Sequence, residues 1–297
     1  MNHETVSIII PTYYQDSLLD RAISSAVNQT YDETEVIVVD DSGEGYAREI
    51  VDKYGTVQYI ELPENRGANN ARNIGYEASS GDYIQFLDDD DYLYDSKIDK
   101  QIKIFNDNEE IGVVYCGVTT DNGKSLPDPS IDGDVLPQAL SFQLWPCMTT
   151  TMLIDDSKFS DIYPMRNRPG ADDLALMINL ARITKFGYVP EVLVYKGGPD
   201  NSRGKSNGAI QGRKQILEEY SKLYNKYPGK IMEKAISETY RTKGLIKINN
   251  GIWSPSAILA FYKSYRYSNN KVKPICRLAA SLFGKYGWKL ANYIFNR

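Results

Sequence analysis

Four consecutive aspartates, Asp88 to Asp91, follow the apolar run Tyr83-Ile84-Gln85-Phe86-Leu87. A run this hydrophobic reads as a buried strand, which would deliver the carboxylates to a fixed place at a sheet edge. Adjacent like charges repel unless a cation or strong donors neutralise them. In an extended segment residues i and i+2 face the same side, so Asp88 and Asp90 can converge on one ion. Oxygen-only ligands suit a hard divalent cation, Mg²⁺ or Mn²⁺. The competing reading is an acidic turn that caps a helix beginning near Asp95 or Ser96.

The flanking pattern supplies elements that would position these acids. Apolar strands are predicted at 6–11, 35–40, 57–62, 82–87 and 112–118. Between the first two, Leu18, Leu19, Ala22, Ile23, Ala26 and Val27 recur at the spacing of one helical face. Further helices are expected at 46–54, 69–79 and 96–106. Near-continuous hydrophobic strands alternating with helices imply an α/β fold with a mostly parallel sheet covered on both faces. Ligands of such sheets lie outside the carboxyl ends of the strands. Three polar clusters occupy such ends: Thr12-Tyr13-Tyr14, Asp40-Asp41 and the aspartate run.

Residues 119–154 are less regular and close on Pro146-Cys147-Met148-Thr149-Thr150-Thr151-Met152, which reads as a strand. A helix is expected over 174–183, with Asp172 and Asp173 at its start, then a strand at 189–194. From 209 onward the pattern is helical, with segments near 209–227, 230–249, 255–267 and 274–295. The division this pattern implies is an α/β region over 1–208, split near 118, and a helical region over 209–297.

Composition narrows the classes. The chain of 297 residues can bury a large core, and its three cysteines, Cys116, Cys147 and Cys276, match no metal or redox spacing. They read as reduced thiols of a cytosolic compartment. The run Val6 to Ile10 is too short for a signal peptide, and no apolar run approaches the roughly 18 to 20 residues that span a bilayer. The net charge of −5 conceals an asymmetry: beyond Glu238 there is no acid but eleven Lys or Arg, leaving a net −16 in the first 238 residues. So acidic a body excludes nucleic acid as the expected partner. Within 275–295, Ile275, Leu278, Leu282, Tyr286, Leu290 and Tyr293 form one helical stripe, with Arg277 and Lys285 beside it and Phe283, Trp288 and Phe295 broadening it. Basic amphipathic helices of this kind lie on anionic membranes; packing on the catalytic domain is the alternative.

Taken in order, these pieces resemble a family-2 glycosyltransferase of the GT-A fold. The matching text is Val6-Ser7-Ile8-Ile9-Ile10-Pro11-Thr12-Tyr13, Gln29-Thr30-Tyr31, Glu35 to Ser42, Asn65-Arg66-Gly67, Ala71-Arg72-Asn73-Ile74-Gly75 and Gly81 to Asp91, with Ala171-Asp172-Asp173 standing at the family's Glu-Asp pair. The resemblance covers residues 5–195. It implies inverting transfer of a sugar from a nucleotide diphosphate, with UDP the expected nucleotide, to an acceptor hydroxyl.

Under that resemblance the residues acquire roles. Asp41, an acceptor-only carboxylate, suits the N3–H of a uracil ring; a turn or N-cap aspartate is its plainer role. Tyr13 would stack on the base, with Pro11 and Thr12 offering backbone groups, unless it is a packed core tyrosine. Arg72 would reach the nucleotide or buttress the acidic loop. Asp88 would face the ribose or the metal, Asp90 would bind Mn²⁺ or Mg²⁺ directly, and Asp89 and Asp91 would support them. Asp173 would be the base that takes the acceptor's proton, with Asp172 beside it; both acids also suit a helix N-terminus. Thr149, Thr150 and Thr151 would line the acceptor side, and Arg203 and Lys205 would close over the diphosphate from a glycine-rich loop.

Two departures stand out. The histidine that many relatives carry after the Glu-Asp helix is missing, since His3 is the sole histidine, and Tyr14 replaces a common asparagine. A lipid-linked or other saccharide acceptor at the cytosolic membrane face would follow if the tail binds membrane. The rival readings are a sugar-nucleotide-binding protein without turnover and a sugar nucleotidyltransferase; where the latter carries a Gly-rich, Arg-containing loop after the first strand, this chain has Pro11-Thr12-Tyr13-Tyr14-Gln15.

Overall fold

A computed structural model describes residues 4–197, 206–249 and 253–288. Its strands are β1 (Val6–Thr12), β2 (Thr34–Asp40), β3 (Val57–Glu61), β4 (Tyr83–Phe86), β5 (Tyr92–Leu93), β6 (Ile111–Thr120), β7 (Gly123–Ser125), β8 (Leu153–Asp155) and β9 (Lys185–Tyr195). Its helices are α1 (Ser17–Val27), α2 (Arg48–Val51), α3 (Ala68–Glu77), α4 (Lys97–Asp107), α5 (Leu136–Leu140), α6 (Asp156–Ser160), α7 (Asp172–Ala181), α8 (Asn207–Glu219), α9 (Ser221–Tyr224), α10 (Gly229–Asn249), α11 (Pro255–Tyr267) and α12 (Val272–Leu282). The described residues fall into two compact units. One takes those within Met1–Leu136, Leu144–Asn167 and Ala175–Pro199; the other takes those within Pro137–Gln143, Arg168–Leu174 and Asp200–Arg297. The division therefore does not follow the chain linearly.

The first unit is built on one mixed sheet in the order β3-β2-β1-β4-β8-β6-β9-β5, with β7 paired to β6. β1 runs parallel to β2 and β4, and β2 parallel to β3. Side chains of a strand alternate between faces, and β2 shows the consequence. Val36 and Val38 join a core with Leu19, Ala22, Ile23 and Ala26 of α1. Ile37 and Val39 instead pack with Ala71 and Ile74 of α3. Both faces are thus covered, which is why the strand reads as an unbroken apolar run. Beyond β4 the sheet turns mixed: β8 enters antiparallel between β4 and β6, while β9 pairs parallel with β6.

The expected strand over 146–152 is a 3₁₀ turn, Thr149–Thr151, followed by β8. The Thr151 hydroxyl accepts from the Met148 N–H at 2.9 Å and lies 3.0 Å from the Pro146 carbonyl, to which it donates. Local side-chain bonds to the backbone outcompete the strand preference of threonine. The remaining first-half elements lie within a few residues of their expected positions, except that the helix expected over 46–54 is reduced to α2.

The second unit is helical. Phe261 of α11 packs with Ile248, Ala257, Ala280 and Trp288, the Phe261 and Trp288 rings lying 5.1 Å apart and nearly parallel. Arg168, buried, grips Glu219 at the end of α8 with both oxygens at 2.7 Å. The expected helix over 274–295 is interrupted: α12 ends at Leu282, and Gly284 takes φ 63, a left-handed conformation suited to glycine. Trp288 lies buried against Phe261, whereas Ile275, Leu282, Phe283 and Tyr286 are exposed. Leu290, Tyr293 and Phe295 lie outside the described residues. Among the described residues no helix is long and apolar enough to cross a membrane.

Candidate active site

In the first unit, the carboxyl ends of β1, β2 and β4 bring three polar clusters to one edge: Thr12 pairs with Asp40, and Ile9 with Phe86. Asp40 is enclosed. It accepts the Ser42 N–H at 2.9 Å, the Ala47 N–H at 2.8 Å and the Tyr59 hydroxyl at 2.8 Å. Burial alone would raise its pKa, but these donors outweigh burial and hold it below the ordinary carboxylate range. Asp41, also buried, accepts the Arg66 N–H at 2.6 Å and the Gly67 N–H at 2.8 Å, one on each oxygen. Gly67 takes φ 86, so the Asn-Arg-Gly turn needs glycine at the point where it meets Asp41. A carboxylate offers about four acceptor positions, so further donors can share these oxygens.

The aspartate run is a turn, not an extended segment: the Asp91 N–H donates to the Asp88 carbonyl at 3.1 Å. The turn, not strand alternation, gathers carboxylate oxygens of Asp88, Asp90 and Asp91 within 4.8 Å of one another. Three hard oxygen donors so close form a donor set that fits Mg²⁺ or Mn²⁺. Asp89 turns elsewhere and accepts the Tyr13 N–H at 3.2 Å. Arg72, buried, is ion-paired to Asp88 and donates to Asn69 Oδ1 at 2.7 Å, an arrangement that buttresses the loop.

Electrostatically the loop is under-compensated. Burial, reinforced by Asp88 and Asp90, pushes Asp89 up to about 7. Burial and then the Asp88 charge raise Asp90. Asp91 is raised as well, chiefly by burial, with Lys196 acting in the opposite direction. Each shift reports a carboxylate that would gain from a nearby positive charge.

Two side chains at this loop, Lys196 and Arg21, were not singled out from sequence. The Asp91 oxygens accept the Thr150 hydroxyl at 2.7 Å and the Gly197 N–H at 3.0 Å, and the Lys196 ammonium stands 3.6 Å away. Thr149 and Thr150 are both buried, and Thr150 faces the acidic loop through that bond. Arg21 of α1 donates to the Asp90 carbonyl at 3.1 Å while lying over the Tyr92 ring. Pairing of β5 with β9, Tyr92 opposite Tyr195, would have flagged Lys196; nothing in the spacing of Arg21 marks it.

Tyr13 is 51% exposed, so it is not a packed core tyrosine. Its ring meets Tyr14 edge-on at 4.7 Å, and Tyr14 meets Tyr46 at 4.9 Å, forming an open aromatic surface. Tyr14 adopts φ 52, uncommon for a bulky residue. Pro11 and Thr12 are buried at the end of β1. In the second unit, Asp172 and Asp173 form the first turn of α7, and Asp172 accepts the Arg168 N–H at 2.6 Å. Arg203 and Lys205 lie outside the described residues.

Residues 7–161 match the family model described as Glycosyl transferase family 2. This chain belongs to glycosyl transferase family 2. An uncharacterized glycosyltransferase of Rickettsia typhi is 31% identical over 76% of the chain and 72% of its own length. One of Haemophilus influenzae is 39% identical over 36% of the chain, and the match spans 45% of that relative. Among solved structures, S. aureus TarS 1-349 in complex with UDP-GlcNAc is similar with TM-score 0.58 at 16% identity, over 96% of this chain and 92% of that one. The mannosyltransferase PcManGT from Pyrobaculum calidifontis, in complex with GDP-Man and Mn²⁺, gives TM-score 0.60 at 18% identity, over 98% and 84%. These likenesses place this family-2 chain in the GT-A fold.

Proposed function

We propose that the chain transfers a sugar, with inversion, from a nucleotide diphosphate to an acceptor hydroxyl, using Mn²⁺ or Mg²⁺. The observation that carries this reading is the convergence of Asp88, Asp90 and Asp91 within 4.8 Å at the edge where β1 and β2 also end. When bound, a divalent cation supplies positive charge for the departing diphosphate. The nucleotide sugars held by the two structural neighbours support the donor class, and the family resemblance favours UDP. Asp41 and the exposed Tyr13 are the proposed base contacts, and Arg72 keeps Asp88 in position. Asp173 receives the acceptor's proton as the new glycosidic bond forms, and Asp172 braces the loop before it through the Arg168 N–H.

The acceptor is proposed to be a saccharide, lipid-linked, met at the cytosolic membrane face. Exposed Ile275, Leu282, Phe283 and Tyr286 in a chain end without acids support a peripheral membrane contact.

The test is a thermal-shift screen of UDP, GDP and their sugars with and without Mn²⁺. A metal-dependent shift with at least one is expected, and none with any would sink the reading. Asp173→Asn is expected to bind donor normally and lose about 10² to 10⁴ in transfer rate; near-normal turnover would remove it as the base. Phe283→Ser with Tyr286→Ser should release the protein from anionic vesicles, and unchanged sedimentation would end the membrane proposal.

A further inference from the structure

We infer that Lys196 is a diphosphate-contacting residue of this site, its ammonium held beside Asp91 until the donor arrives. The inference rests on the function proposed above. It starts from how the backbone around Lys196 is fixed. The Lys196 N–H donates to the Thr119 carbonyl at 2.8 Å, and the Gly197 N–H donates to Asp91 Oδ1 at 3.0 Å. Gly197 lies so close to the Asp90 carbonyl that no Cβ fits between them. The two residues after strand β9 are thus clamped onto the end of β6 and the acidic turn, which sets where the lysine begins its reach.

The Lys196 ammonium is 3.6 Å from Asp91 Oδ2 and the side chain is 31% exposed. That separation exceeds the roughly 2.7 to 2.9 Å of a charge-assisted hydrogen bond. Asp91 already receives the Thr150 hydroxyl and the Gly197 N–H, so what Lys196 adds there is charge. Among the described residues, Arg72 and Arg21 also reach the loop but differently: Arg72 is buried on Asp88, and Arg21 is bonded to the Asp90 carbonyl and lies over Tyr92.

A divalent ion on Asp88, Asp90 and Asp91 would stand within a few ångströms of this ammonium and repel it. A diphosphate brought to that ion carries the anionic oxygens nearest to the displaced charge. The flexible four-carbon stem of lysine allows the transfer from carboxylate to phosphate without moving the clamped backbone. Lys196 therefore opposes the metal when the site lacks nucleotide and assists once a diphosphate is present.

That opposition of signs is the test. Titration calorimetry would measure Mn²⁺ alone, then UDP and UMP each in saturating Mn²⁺, for wild type, Lys196→Met and Lys196→Arg. Lys196→Met is expected to bind Mn²⁺ alone about threefold more tightly and UDP about tenfold more weakly, with a smaller loss for UMP. Lys196→Arg should keep UDP affinity within about threefold. Weaker Mn²⁺ binding by Lys196→Met, or equal losses for UDP and UMP, would overturn the inference. Wild-type UDP binding that Lys196→Met leaves unchanged would overturn it while sparing the proposed function; no metal-dependent UDP binding by wild type would overturn both.

Discussion

Asp40 at the end of β2 and Asp88 to Asp91 after β4 are acids at strand ends on either side of β1, with opposite environments. Asp40 is enclosed by two backbone N–H groups and a tyrosine hydroxyl, all donating to it, and stays readily ionised. The acids after β4 are crowded together and buried, and Asp89, Asp90 and Asp91 all have raised pKa values. The protein completes the first charge by itself, and under the proposed function the second awaits an incoming cation. On that proposal stability is invested at one end and binding at the other, although both sequences read simply as acids after apolar strands.

Asp90→Asn separates the two most sharply. Sugar transfer should fall by about 10² to 10³, and the Mn²⁺-dependent thermal shift with UDP should vanish. The melting temperature of the ligand-free protein should hold or rise, because a like charge has gone. Persistence of the metal-dependent shift would show that the acidic turn is not the cation site. Asp40→Ala should do the reverse, costing about 3 kcal/mol by urea unfolding because two buried backbone donors and the half-buried Tyr59 hydroxyl lose their acceptor. Unchanged stability would dissolve the contrast.

Tyr59→Phe probes the same carboxylate more gently, removing one donor for about 1 kcal/mol; a cost equal to that of Asp40→Ala would mean the backbone donors matter little. The smallest effect concerns pH. Asp40 has a lower pKa folded than unfolded, so the stability it adds is complete above about pH 4 and is lost as pH falls through the folded value. The stability gap between wild type and Asp40→Asn should hold from pH 5 to 8 and close on further acidification, and a gap constant down to about pH 2.5 would contradict the assignment.

Much of the first unit was legible because strands covered on both faces leave continuous apolar text, as β1 and β2 do. The aspartate run was legible as chemistry but not as geometry. Extended-chain alternation points to Asp88 and Asp90, while a turn also draws in Asp91 and directs Asp89 to Tyr13. The threonines of 149–151 misled because hydroxyl-to-backbone bonds are invisible to strand preference. Tyr13 needed the fold to decide between core and surface. Arg21 and Lys196 reach the turn from α1 and β9, and such contacts leave no local pattern. In the tail, a regular apolar spacing ran across Gly284, where the backbone changes hand.

The antiparallel entry of β8 beside β4 has a consequence for how this enzyme class could diversify. The segment leading into β8 ends directly beneath the acidic turn, where Thr150 holds Asp91 across 59 positions of sequence. Remodelling of that segment is not independent of the acidic turn. Any graft there must bring a hydroxyl to the same spot, or the exchange of one partner will disturb the other.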